Sequence, residues 1–186
     1  GYGQDLRAWM RDEHRAELDT AAALRASPIG WGSPRPDEVH RRAKDISSSS
    51  SVDIEQAVVV GGAIAIAREG HHLERSPEEI GTAMREYART KTDHSLLEMQ
   101  APSRSLSALQ APSGVVAIAA LQGCSNFEEA LHNALRLHRA QERVVSVAGA
   151  LAEATFGGVP ESLAAMVWRE LPSQLQAVVM RFWQGT

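Results

Sequence analysis

"LHRAQERVVSVAGALAEATFGGVP" (137–160) opens on a polar stretch carrying both signs of charge, turns into a nearly unbroken run of Ala, Val and Gly, and ends at a Pro. It reads as a helix over about 143–156, rich in Ala, Val and Ser, that "GGVP" (157–160) stops. Small side chains let helices approach closely, so this segment reads as a scaffold helix in a packed interior.

The segments on either side follow the same pattern. "SNFEEALHNALRLHRAQ" (125–141) predicts a helix with Ser125 and Glu128 as a capping box, and Phe127, Leu131, Ala134, Leu135 and Leu137 on one face. "SPEEIGTAMREYARTK" (76–91) has Ser76 as N-cap, Pro77 at the first helical position and Glu79 closing the box, then an apolar stripe of Ile80, Met84 and Tyr87. Residues 52–69 read as a buried helix that Gly70 ends in a left-handed cap. "ESLAAMVWREL" (161–171) and "SQLQAVVMRFW" (173–183) are two short amphipathic segments parted by Pro172. "SPIGWGSPRP" (27–36), "SSSSS" (47–51) and "QAPSRSLSALQAPSG" (100–114) read as irregular. Strict alternation never lasts beyond a few residues and there is no internal repeat. The expectation is an all-α fold, a single domain over 1–186.

A net charge of -4 leaves no basic footprint for nucleic acid. The longest apolar run, "AVVVGGAIAIA" (57–67), falls well short of the roughly 20 residues that span a bilayer, so no membrane association is expected. No basic region precedes an apolar stretch at the N-terminus, so no signal peptide is expected. The opening "GYGQDLRAW" lacks Met and suggests a processed or excised chain. The single Cys124 fits a reducing cytoplasm and, with no His–Asn arrangement nearby, reads as a bystander thiol.

The seven histidines do not make a metal site by their spacing. His71 and His72 are adjacent, and His132 and His138 are six apart, not the three or four that brings two ligands to one helix face. Ser47 to Ser51 read as a helix cap and loop rather than a phosphate cradle. "DEH" (12–14) and "RAQER" (139–143) read as solvated charge.

Taken in order, several segments resemble the bacterial ADP-ribosylglycohydrolases. "GYGQDLRAWM" (1–10) is similar to that family's Gly-Tyr-Gly…Trp segment, and "AALRASPIGW" (22–31) to its Ala-Met-Arg-Val-Ser-Pro-Val-Gly-Trp run. "DEVHRRAKDISSSSSVDIEQAVVVGGAIAIAREG" (37–70) resembles the stretch holding its Thr-His-Asn-His-Pro-Glu motif and the following helix. "AIAALQGCSNFEEALHNAL" (117–135), "VAGALAEATFGGVPESL" (147–163) and "LPSQLQAVVMRF" (171–182) complete the match. The resemblance implies an all-α orthogonal helical bundle, here without the family's N-terminal helices.

It also implies two Mg²⁺ ions, and there this sequence departs from the pattern. The N-terminal Thr-Asp-Asp cluster would lie before residue 1. In the second cluster, an Asp-x-Asp-Ser/Thr motif after two glycines, the glycines are His138 and Arg139, the two Asp are Ala140 and Glu142, and the Thr is Arg143. The Gly-Asn-Gly-Ser loop becomes Asp19, Thr20, Ala21 and Ala22; Thr-His-Asn-His-Pro becomes Ser47 to Ser51, and its Glu becomes Val52. Mg²⁺ demands octahedral oxygen ligation, usually with carboxylates, and Arg143 sets a cation beside Glu142. No metal and no cofactor is therefore expected. Scaffold positions instead keep the pattern: Pro28, Gly30, Trp31, Ala148 to Ala150, Gly157, Gly158 and Pro160.

Three functions follow as expectations. The first is a pseudoenzyme that binds a partner protein or a small, nucleotide-like ligand, with Ser50, Asp53, Glu55, Arg139 and Arg143 as ligand-binding candidates. The second is a repurposed, metal-independent enzyme in the old cleft, with Asp19, His138 and Glu142 as weak catalytic candidates. The third is a purely structural domain. Helices 52–69 and 143–156 are apolar on more than one face, so a homo-oligomer is expected to cover them.

Overall fold

In a computed structural model, residues 22–33, 35–46, 51–92, 113–137 and 142–185 are described. Ten helices follow one another among them: α1 (Ala22–Arg25), α2 (Ser27–Gly32), α3 (Pro36–Ile46), α4 (Ser51–His72), α5 (Pro77–Lys91), α6 (Ser113–Ala120), α7 (Phe127–Leu137), α8 (Glu142–Phe156), α9 (Glu161–Glu170) and α10 (Ser173–Gly185). No strand occurs among the described residues, as expected of an all-α protein. None of the described helices is long and apolar enough to cross a membrane.

Helix α4 is the axis. Its residues Ala57 to Ala65 are all buried, as a helix apolar on every side must be. Helices α1, α2 and α3 pack against it on one flank and α5 on another, with α6 and α8 completing its cover. The expectation that this helix and 143–156 lack cover is not met. Val144, Val147, Ala148, Leu151, Ala152 and Ala154 of α8 are at most 2% exposed.

The two central glycines of α4 serve different neighbours. A β-carbon on Gly61 would stand 2.8 Å from Val39 of α3, whereas one on Gly62 would run into the Tyr87 ring of α5 at 2.2 Å. Each missing side chain lets one helix in. The stripe Ile80, Met84 and Ala88 of α5 is buried and Tyr87 is half-buried, close to the helical periodicity read from the sequence.

The helix ends bear out some readings and correct others. At α5 the box is complete: the Ser76 hydroxyl accepts from the Glu79 N–H, and the Glu79 carboxylate accepts from the Ser76 N–H at 2.8 Å. At α7 the carboxylate is Glu129, not Glu128. Asn126 accepts from the Glu129 N–H at 2.9 Å, and Glu129 reaches back to the Ser125 N–H and hydroxyl. Leu135 of α7 is 47% exposed and lies off the buried face, while the side chain of Leu137 is outside the described residues.

Gly70 does not cap α4, which continues to His72. The left-handed position falls on Glu74 (φ 55°), with its N–H donating to the His71 carbonyl and the Arg75 N–H to the Gly70 carbonyl, a Schellman end. Gly70 is needed for contact: a β-carbon there would lie 2.6 Å from Ile80. By contrast Gly157 (φ 80°) does end α8, with the Gly158 N–H donating to the Glu153 carbonyl.

"SPIGWGSPRP" is also more ordered than expected, since Ser27–Gly32 is helical and Pro36 begins α3. Two arginines hold the C-terminal carbonyls of α2. Arg42 donates to Gly32 at 2.7 Å, and Arg68 to Gly30 at 3.0 Å and to Trp31. Of the other stretches read as irregular, Ser51 starts α4 and Ser113 starts α6, while 47–50 and 100–112 lie outside the described residues.

Candidate functional site

The last turns of α4 and α8 meet, because a β-carbon on Gly157 would lie 2.4 Å from Nε2 of His71. The two helices are also among the most extensively packed pairs of the bundle. Glu142 and Arg143 lie in the first turn of α8, and Glu55 lies near the start of α4.

Helix α6 begins there too. Its Gly114 N–H donates to Oε1 of Gln56 at 3.3 Å, and a β-carbon on Gly114 would press on Val60 at 2.8 Å. Nε2 of Gln56 is buried with no partner among the described residues.

The sequence candidates divide as follows. Glu55 is half-buried on α4, and Glu142 and Arg143 are exposed on α8. Asp53 lies in the first turn of α4, with its side chain outside the described residues. Asp19, Ser50, His138 and Arg139 are outside them altogether.

A pair of divalent cations would need several converging carboxylates. Among the described residues, no three His, Cys, Asp or Glu side chains could hold an ion together. The cation of Arg143 follows Glu142 directly. Glu55, Glu142 and Arg143 by themselves do not fit a dinuclear Mg²⁺ centre.

Cys124 is buried. Its thiol donates to the Ala120 carbonyl at 3.2 Å and accepts from the Asn133 amide at 3.2 Å. Burial pushes its pKa up, the reverse of what a nucleophile needs.

A second place escaped the sequence reading. Trp31, Glu153, Phe182 and Trp183, with Ser27, Pro28 and Ala150, line a cavity of about 230 Å³ between α2, α8 and α10. The only signal in the sequence was one carboxylate, Glu153, in a run of small residues.

The arrangement of helices around α4, with "GGVP" closing the end of α8, agrees with a match along the chain. The family model described as ADP-ribosylglycohydrolase matches residues 3–186. The chain belongs to the ADP-ribosylglycohydrolase family. Its architecture is the all-α, ADP-ribosylglycohydrolase-like fold expected from the sequence. No curated protein and no solved structure matches it.

Proposed function

We propose that this chain is a single ADP-ribosylglycohydrolase-like domain that has lost the dinuclear Mg²⁺ site and works by binding, as a pseudoenzyme of the cytoplasm. The observation that carries the reading is the sequence that leads into α8. Where the family resemblance calls for two Asp and a Thr, this chain has Ala140, Glu142 and Arg143. Cleavage of a ribosyl bond passes through an oxocarbenium-like state that needs an oriented sugar and an activated water. One exposed carboxylate beside an arginine supplies neither.

Calorimetric titration of metal-free protein with Mg²⁺ and Mn²⁺ tests this, together with ADP-ribose release from ADP-ribosylated protein. The expected result is no saturable site at sub-millimolar metal and no release above buffer. Two metal sites, or Mg²⁺-dependent release, would overturn the reading. Metal-independent release that disappears in Glu142→Gln would establish the repurposed enzyme instead.

The partner we propose is a second copy. Helices α9 and α10 contain no buried residue among those described. Met166, Val167, Trp168, Leu175, Val178 and Met180 are between 37% and 56% exposed on them. Six apolar side chains this open together expose several hundred Å², the scale at which an apolar surface marks an interaction site. A two-fold dimer is the simplest closed way to cover such a surface.

A further inference from the structure

Glu153 is the one charged residue of α8 beyond its first turn. It is half-buried against the cavity between α2, α8 and α10. No arginine, lysine or histidine among the described residues pairs with it, and burial alone pushes its pKa up. Among the described residues, the cavity therefore holds a carboxylate without a counter-charge.

Its walls are aromatic and come from far apart in the chain, Trp31 from α2 and Phe182 and Trp183 from α10. Trp31 is held in place: the Arg68 guanidinium lies 5.1 Å from its ring centre and is tied to the carbonyls of Gly30 and Trp31. Arg68 does not line the cavity, and its Nη1 donates to both carbonyls at that helix end. Phe182 and Trp183 are 38% and 65% exposed, leaving ring surface open for a ligand to cover.

About 230 Å³ admits a small molecule and is below the roughly 300 Å³ at which drug-sized sites begin. A dinucleotide does not fit. Aromatic walls and one carboxylate also suit neither an anion nor a hydrated metal ion, which needs several oxygens. They suit an alkylated cation, whose charge interacts with ring faces and whose methyl groups need no hydrogen bonds.

We propose that this pocket binds a small organic ammonium ion, with Glu153 balancing the charge and Trp31, Phe182 and Trp183 enclosing the alkyl groups. This deepens the binding role proposed above by naming a ligand class, and it stands or falls on a different measurement from metal binding and ADP-ribose release.

The test is titration of the whole chain with choline, followed by tryptophan fluorescence and calorimetry. The controls are 3,3-dimethylbutan-1-ol, which has the same shape without the charge, and sodium chloride at equal ionic strength. Choline should saturate in the millimolar range or below, the neutral alcohol should bind at least tenfold more weakly, and sodium should give no saturable response. Glu153→Gln should weaken choline at least tenfold and leave the alcohol unchanged. Trp183→Leu, with helicity checked by circular dichroism, should weaken both. Should Trp183→Leu fail to fold, Glu153→Gln and the alcohol decide the matter. No saturation by choline, equal affinity for the alcohol, or undiminished choline binding in Glu153→Gln would each overturn the proposal.

Discussion

Gly30 of α2 lies so close to α4 that a β-carbon on it would stand 2.5 Å from the Gly61 carbonyl oxygen and 2.6 Å from Cβ of Ile64. Backbone cannot move aside as a flexible side chain can. Gly30→Ala should therefore destabilise by about 1–3 kcal/mol, the cost of overpacking a close-packed core. Gly81 of α5 makes the contrast, because nothing lies within 4 Å of a β-carbon there. Gly81→Ala should stabilise by about 0.5–1 kcal/mol, since alanine loses less backbone entropy in a helix. Thermal melts of the two variants check both signs. A neutral Gly30→Ala would mean that α2 does not sit on α4 as described.

Acid should weaken the protein partly through its two capping carboxylates. Glu79 has its pKa lowered by the backbone hydrogen bond from Ser76, and Glu129 by that from Ser125. A folded-state pKa below the unfolded value, about 4.3 for glutamate, contributes stability that is present above that value and lost as pH falls through the folded pKa. The double variant Glu79→Gln, Glu129→Gln should flatten the acid limb of a denaturation-midpoint profile below about pH 4.5. Ser76→Ala alone should cost about 1 kcal/mol at neutral pH, the usual worth of a helix cap.

Glu153 has the opposite sign. Burial raises its pKa, so the folded chain holds the proton more tightly than the unfolded one. The stability this gives is fully present below the unfolded value and is lost as pH rises through the folded one. Without ligand, Glu153→Gln should melt higher than wild type at pH 7, and the gap should close on acidification. A variant that melts lower at pH 7 would show that the carboxylate has a partner.

Light scattering at micromolar concentration should report a dimer. Val178 is 56% exposed on α10 and takes no part in the cavity around Glu153. Val178→Glu, by burying like charges across a two-fold interface, should yield a monomer with unchanged helicity. A wild-type monomer would rule out the second copy as the cover for α9 and α10.

Much of the architecture was legible in the residue order, because caps and periodicity are short-range signals. Ser76, Pro77 and Glu79 announce α5 without help from the rest of the chain. Gly157 ends α8 for an equally local reason, its left-handed backbone. Gly70 was misread because a glycine at a helix end and a glycine under a neighbour's side chain look alike until Ile80 is in place. Asn126 and Glu129 were passed over for Ser125 and Glu128, since a one-residue shift in the helix start leaves the spacing of a capping box intact.

By itself the sequence determined that the chain is all-α and that it belongs with the ADP-ribosylglycohydrolases. Caps, helical periodicity and the order of segments along the chain settle such matters, because each is carried by residues close together in sequence. Only the tertiary structure decided that Gly61 and Gly62 admit different helices, that 57–65 is covered while α9 and α10 are open, and that Trp31 and Trp183 share a cavity with Glu153. These are contacts between residues far apart in the chain, set by the summed packing of many side chains, and no local pattern encodes which distant surfaces will meet.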